Sequence, residues 1–228
     1  MDARLLLLAD SRLPAGGHAH SGGLEAAVTA GAVKDVAGLA DFLRGRLATS
    51  GLVNAALAAA ACAHAHTHTQ TPADAQAWER LNAEADARTP SLAQRQASCA
   101  QGRSLLRAAR TTWPHPALEA LAAAVRKPHH PIVLGASAAA GNGTPHQAAT
   151  ITAYGAITGP ASAAVRLLGL DPLAVHRALA ELAPDVDTIA TEAAAAPDDW
   201  TALPAPSAPI LDLYAELHMS ADLRLFES

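Results

Sequence analysis

Thr144-Pro145-His146-Gln147-Ala148-Ala149-Thr150-Ile151-Thr152-Ala153-Tyr154-Gly155-Ala156-Ile157-Thr158-Gly159-Pro160-Ala161-Ser162-Ala163-Ala164-Val165-Arg166-Leu167-Leu168 carries no Asp, Glu or Lys, and no Arg before Arg166. Thr144 offers a side-chain oxygen to a free helix N–H, and Pro145 is pre-set for the first helical position. Nothing in the stretch alternates like a strand, so it reads as a helix buried on most sides. A kink is expected at Gly159-Pro160, where a backbone donor is lost.

The same signature, a capping residue before a proline, recurs at Thr71-Pro72, Thr89-Pro90 and Asp171-Pro172. Between these marks the apolar spacing is helical, as in Val36, Leu39, Leu43 and Leu47, or Val175, Leu179 and Leu182. The implied helices run near 4–9, from 21 to 31, then over 35–50, 51–66, 72–88, 90–110, 117–126, 132–140, 145–168, 172–182 and 185–196. The fold class is therefore all-α: a single-domain bundle of about ten helices over 1–196, with a flexible C-terminal tail. In that tail, 197–228, a Pro-rich linker over 200–209 precedes a partner-binding end.

Composition agrees with helix. Half of the 228 residues are apolar, but only 3% are aromatic, and five Ile and nine Val stand against abundant Ala. One domain of this length buries roughly 70% of the surface its unfolded chain exposes, enough for a core without staples. The net charge is -5 and no Lys/Arg cluster looks dense enough to track phosphates, so no nucleic acid partner is expected. Pro128–Val165 lacks charge but carries four prolines and is no membrane span. The apolar run Leu5–Leu8 is too short for a signal-peptide core. Cys62 and Cys99 read as reduced thiols, and a cytoplasmic location fits.

Motifs of chemistry are sparse. His64, His66 and His68 form a short His-rich run, but no carboxylate near them in sequence completes a metal site. A solvated helix end competes with metal binding there, so the metal assignment is none, with these three as weak candidates. His18 and His20 lie among Gly16, Gly17, Gly22 and Gly23, which suits a shaped contact loop or a plain turn. Gly135–Thr144 lacks the Gly-Lys-Ser/Thr ending of a phosphate loop. His-Glu-x-x-His, Cys-x-x-Cys and Gly-x-Ser-x-Gly are all missing, so no catalytic residue is assigned. Asp198, Asp199, Asp185 and Asp187 suit helix starts better than acid/base work. Arg166, among Val165, Leu167 and Leu168, either meets a carboxylate or helix end, or extends its head to water.

Leu8-Ala9-Asp10-Ser11-Arg12-Leu13-Pro14-Ala15-Gly16-Gly17-His18-Ala19-His20-Ser21-Gly22-Gly23-Leu24-Glu25 resembles the N-terminal stretch of the urease accessory protein F (UreF) family. Arg95-Gln96-Ala97-Ser98 with Gly102-Arg103-Ser104-Leu105-Leu106 resembles that family's mid-chain helix, Ala161–Gly169 its late helix, and His218–Ser228 its tail. His18 stands where the family usually has an aromatic, and Leu170 where glutamine is common. The resemblance implies a non-catalytic homodimer that bridges a urease-binding accessory protein of the UreD or UreH type and a nickel-carrying GTPase of the UreG type. It also implies docking on apo-urease for nickel insertion, with nickel and GTP handled by the partners and no cofactor bound here. The alternative is a His-rich nickel carrier.

Two surfaces follow as partner-binding expectations. Leu217, Leu225, Phe226 and terminal Ser228, oriented by Arg224, would dock the UreD/UreH-type partner, because an exposed apolar end is otherwise a liability. The loop with Pro14, Gly16, Gly17, His20, Ser21, Gly22 and Glu25 would face the dimer or the GTPase. Arg166 joins them as a candidate for a partner's carboxylate.

Overall fold

A computed structural model describes residues 3–67, 72–221 and 224–227. Helix follows helix, and no strand occurs among the described residues. The chain opens with α1 (Ala3–Ala9) and, after the glycine loop, α2 (Leu24–Thr29). Next come α3 (Val36–Arg46), a π turn over Leu47–Gly51, and α4 (Leu52–His66).

These last three form one continuous rod, Val36–His66, long and apolar enough over an 18-residue window to cross a membrane by length and composition, yet 72% of that window is buried inside the fold. α4 is apolar all round because it is the axis of the bundle. It packs on α8 (His130–Ala140), α9 (Pro145–Leu168) and α11 (Ala183–Ala193). Alanine makes this possible. A Cβ on Gly135 of α8 would lie 2.1 Å from the Ala58 carbonyl, so the two backbones touch, and contact density replaces side-chain volume.

Outside this centre, α5 (Pro72–Ala87) packs on α7 (Pro116–Ala124), and α6 (Leu92–Thr112) on α8. α10 (Pro172–Glu181) lies against α9 and α3, and α12 (Pro209–Met219) against α6 and α2. Trp78, Leu81 and Ala85 give α5 a buried stripe at helical spacing.

Local chemistry set several ends as expected. Thr144 and Gln147 form a reciprocal capping box, Asp171 accepts the N–H of Leu173, and Asp35 that of Gly38. α9 continues through Pro160 and stops at Gly169, whose φ of +63° is left-handed. Thr71 lies outside the described residues.

Other ends differ. α6 begins at Leu92, capped by Ser91, not at Pro90 after Thr89. Thr89 spends its hydroxyl on the Ala85 carbonyl, closing α5, while Glu216 of α12 accepts from Ser91 Oγ and the Ala93 N–H. α11 starts at Ala183 and ends at Ala193, with Asp185 in its first turn, and Asp199 caps a short 3-10 turn, Trp200–Ala202. Residues 203–208 are non-helical but anchored: Leu203 is buried, and Arg88 Nη2 donates to its carbonyl at 3.2 Å.

Candidate functional site

Glu25 sits in the first turn of α2, buried, with Ser21 Oγ accepting its N–H at 3.2 Å. Its carboxylate accepts the N–H groups of Leu225 at 2.8 Å and Phe226 at 3.0 Å. The tail is thus drawn back across the chain onto the glycine loop.

A second set of contacts completes the clasp. His218 Nε2 lies 3.1 Å from the Phe226 carbonyl and 3.7 Å from Glu25 Oε2. The Arg166 guanidinium stands 4.6 Å from the centre of the Phe226 ring, a cation–π distance. The Glu227 N–H donates to the Ala19 carbonyl at 2.7 Å, and its carboxylate lies 3.6 Å from His20 Nε2.

The structure therefore gathers His20, Ser21, Gly22, Glu25, Arg166 and Phe226 into one neighbourhood. Phe226 is 6% exposed and belongs to the hydrophobic core, so its ring faces inward. The tail, expected to be flexible, is tied down at this point. Arg224, Leu225 and Leu217 remain exposed. Pro14 and Gly17 are exposed on the loop, and Gly16 is half-buried near Ser104. Ser228 and the side chain of His18 lie outside the described residues.

Gly22 is fixed more tightly than its neighbours. Its φ is +63°, and an added Cβ would lie 3.0 Å from Arg46 Cζ and 3.2 Å from Pro160 Cγ. Arg46 Nη1 donates to the Gly22 carbonyl at 2.8 Å, which holds the loop on the α3–α9 seam.

On α12, Leu211 and His218 point inward, while Ile210, Leu213 and Leu217 are 53, 58 and 63% exposed. These three share a face at spacing three, four and seven. They make an apolar stripe on α12, and Leu225, 78% exposed, adds an apolar side chain on the clasped tail.

The His-rich run has structural partners. His64 lies 3.3 Å from Asp74 Oδ1 and edge-on to Trp78, and His66 Nε2 meets the Gly143 carbonyl at 2.8 Å. The expectation of no carboxylate nearby fails, because α5 brings Asp74 beside His64; a solvated helix end holds for His66, which is exposed, but not for His64, whose side chain is 13% exposed. His68 lies outside the described residues, and no group of three His, Cys, Asp or Glu there is placed to hold a metal. Gly135 lies inside α8, away from any loop.

Sequence reasoning missed His129, which is buried, with Ser98 Oγ 3.0 Å from Nδ1 and Asp86 Oδ1 3.0 Å from Nε2. Ser98 Oγ also accepts the His130 N–H, and Asn82 accepts that of His129. This network fastens the α7–α8 link to α5 and α6. His218 was missed too, although it stands seven residues after Leu211 on the inward face of α12.

The site is thus a helical body with a clasped tail and an exposed apolar helix face. Comparison with known proteins gives the family: the UreF family profile matches residues 33–183. The chain is 44% identical over 226 residues to the "Urease accessory protein UreF" of Mycolicibacterium vanbaalenii, covering 99% of this chain and 98% of the relative. It is 46% identical over 224 residues to the protein of that name from Mycobacterium sp. strain JLS, covering 98% and 97%. The Mycobacterium tuberculosis H37Rv protein of the same name is 41% identical over 226 residues, covering 99% and 98%. The chain belongs to the UreF family of urease accessory proteins. It is an accessory protein, not a catalyst, and its family implies work with other urease accessory proteins.

Proposed function

We propose that this chain acts in the cytoplasm as a homodimeric bridge between a UreD/UreH-type accessory protein and a nickel-carrying UreG-type GTPase. In this reading it serves GTP-dependent nickel insertion into apo-urease, while nickel and GTP stay with the partners. The observation that supports the reading is the stripe Ile210, Leu213 and Leu217, three apolar side chains exposed together on one face of α12, with Leu225 exposed on the clasped tail. Such a face is a liability unless a partner covers it. The clasp at Glu25 holds the stripe in one orientation, so little ordering entropy is left to lose on docking.

The stripe takes the UreD/UreH-type partner, and the loop with Pro14, Gly16 and Gly17 takes the dimer mate or the GTPase. Co-expression with the accessory proteins, followed by affinity capture, tests this. Leu213→Asp with Leu217→Asp changes only exposed side chains, so the body should fold while capture of the UreD/UreH-type protein is lost. Undiminished capture would refute the assignment.

A further inference from the structure

The sequence shows no dense basic cluster, yet the fold assembles one. Arg103, Arg107 and Arg110 lie four and three residues apart on one face of α6, and α7 turns back to bring Arg126 beside them. Gly102 allows this, since a Cβ there would lie 2.0 Å from the Pro128 carbonyl. Between α6 and α7 runs an open groove of about 520 Å³ lined by Leu106, Ala122 and Val125 together with these four arginines and Glu119.

We propose that this groove docks an acidic, partly apolar helical segment of a partner protein. The ligand chemistry is already displayed inside it. Glu119 takes a two-pronged bond from Arg110, whose guanidinium holds the Glu119 carboxyl below the usual carboxylate range. Arg103, Arg107 and Arg126 are exposed and have no ion pair among the described residues. They present the same planar fork to a second molecule's carboxylates.

The groove suits a protein better than a nucleic acid. No aromatic side chain lines it to stack on bases, Leu106, Ala122 and Val125 interrupt its charged lining, and the whole chain carries -5. It is also separate from α12, which meets the other end of α6 through Glu216. Leu92 and Arg110 are about 27 Å apart along the helix at ~1.5 Å per residue. The inference therefore goes beyond the bridging role proposed above.

Fluorescence anisotropy on the full chain tests it, with a labelled peptide carrying Glu and Leu at helical spacing as the probe. The peptide should bind, weaken as salt rises, and lose at least about tenfold in affinity to Arg103→Glu with Arg107→Glu. Its Glu-to-Gln analogue should bind no better than that variant. Leu213→Asp with Leu217→Asp should leave peptide binding unchanged, which separates this outcome from failure of the bridging role. Absent binding, binding indifferent to the charge reversal in a variant with native circular dichroism, or stronger competition by a DNA duplex or anionic vesicles would each overturn the proposal.

Discussion

Arg46 donates from Nε to the backbone carbonyl of Ala156 at 3.1 Å. In a regular helix the N–H four residues on, that of residue 160, would take this carbonyl, and Pro160 has none to give. The guanidinium thus supplies the donor that the proline removes, and α9 continues to Leu168 as one helix. Loss of hydration lowers the Arg46 pKa to about 10, so it stays charged at neutral pH.

Arg46→Ala leaves the Ala156 and Gly22 carbonyls without this donor and should destabilise the fold by about 2–4 kcal/mol in urea titration. In a Pro160→Ala background the new N–H serves Ala156, and the same change should cost about 1 kcal/mol less. Equal costs in both backgrounds would remove Arg46 from this role.

Gly22→Ala should cost about 1–3 kcal/mol, because it adds strain at positive φ to a clash with Arg46 and Pro160. Gly17→Ala meets nothing within 4 Å and serves as the control, with an expected change within about 0.5 kcal/mol.

The helices were legible where their chemistry is local. Thr144-Pro145 with Gln147 three residues on writes its own cap, and Asp171-Pro172 does the same. Thr89-Pro90 misleads because the decision comes from Glu216, more than a hundred residues away. The glycine loop was legible as a shaped loop, but its tie to the tail was not, since no local pattern announces that Glu25 receives two N–H groups from residues 225 and 226. Likewise Arg103, Arg107 and Arg110 can be read as one helix face, whereas Arg126 joins them only through the return of α7.

His130 should make stability depend on pH. Burial, with His20 nearby, lowers its pKa from 6.5 to about 4, so the folded form resists a proton that the unfolded form accepts. The native state then binds fewer protons between these values, and stability falls as pH drops from 6.5 towards 4, by up to about 3 kcal/mol. His130→Gln should flatten that part of the profile in denaturant titrations at each pH.

Cys62 should resist thiol reagents. Burial pushes its thiol up to about 12, and Sγ lies 3.4 Å from the Gly143 carbonyl. Cys99 is also raised by burial but is partly exposed. A disulfide-exchange reagent at pH 8 should modify Cys99 slowly and Cys62 only on unfolding; fast native modification of both would contradict the packing.

The clasp can be opened without removing the tail. Glu25→Gln turns an acceptor of two N–H groups into a side chain with one acceptor and one donor end. Trypsin should then cut after Arg224 several-fold faster than in the parent, while the body stays intact on gel electrophoresis. Unchanged cleavage would mean that Glu25 does not hold the tail.

The alanine axis also bears on how this chain answers to temperature. Each methyl group in α4 hides less apolar area than a leucine would, so unfolding releases less newly hydrated surface per residue. The heat-capacity increment should fall at or below the usual ~12–15 cal/mol/K per residue. The stability dome would then be broad and shallow, and cold would weaken this bundle less than one whose interior is filled with leucine.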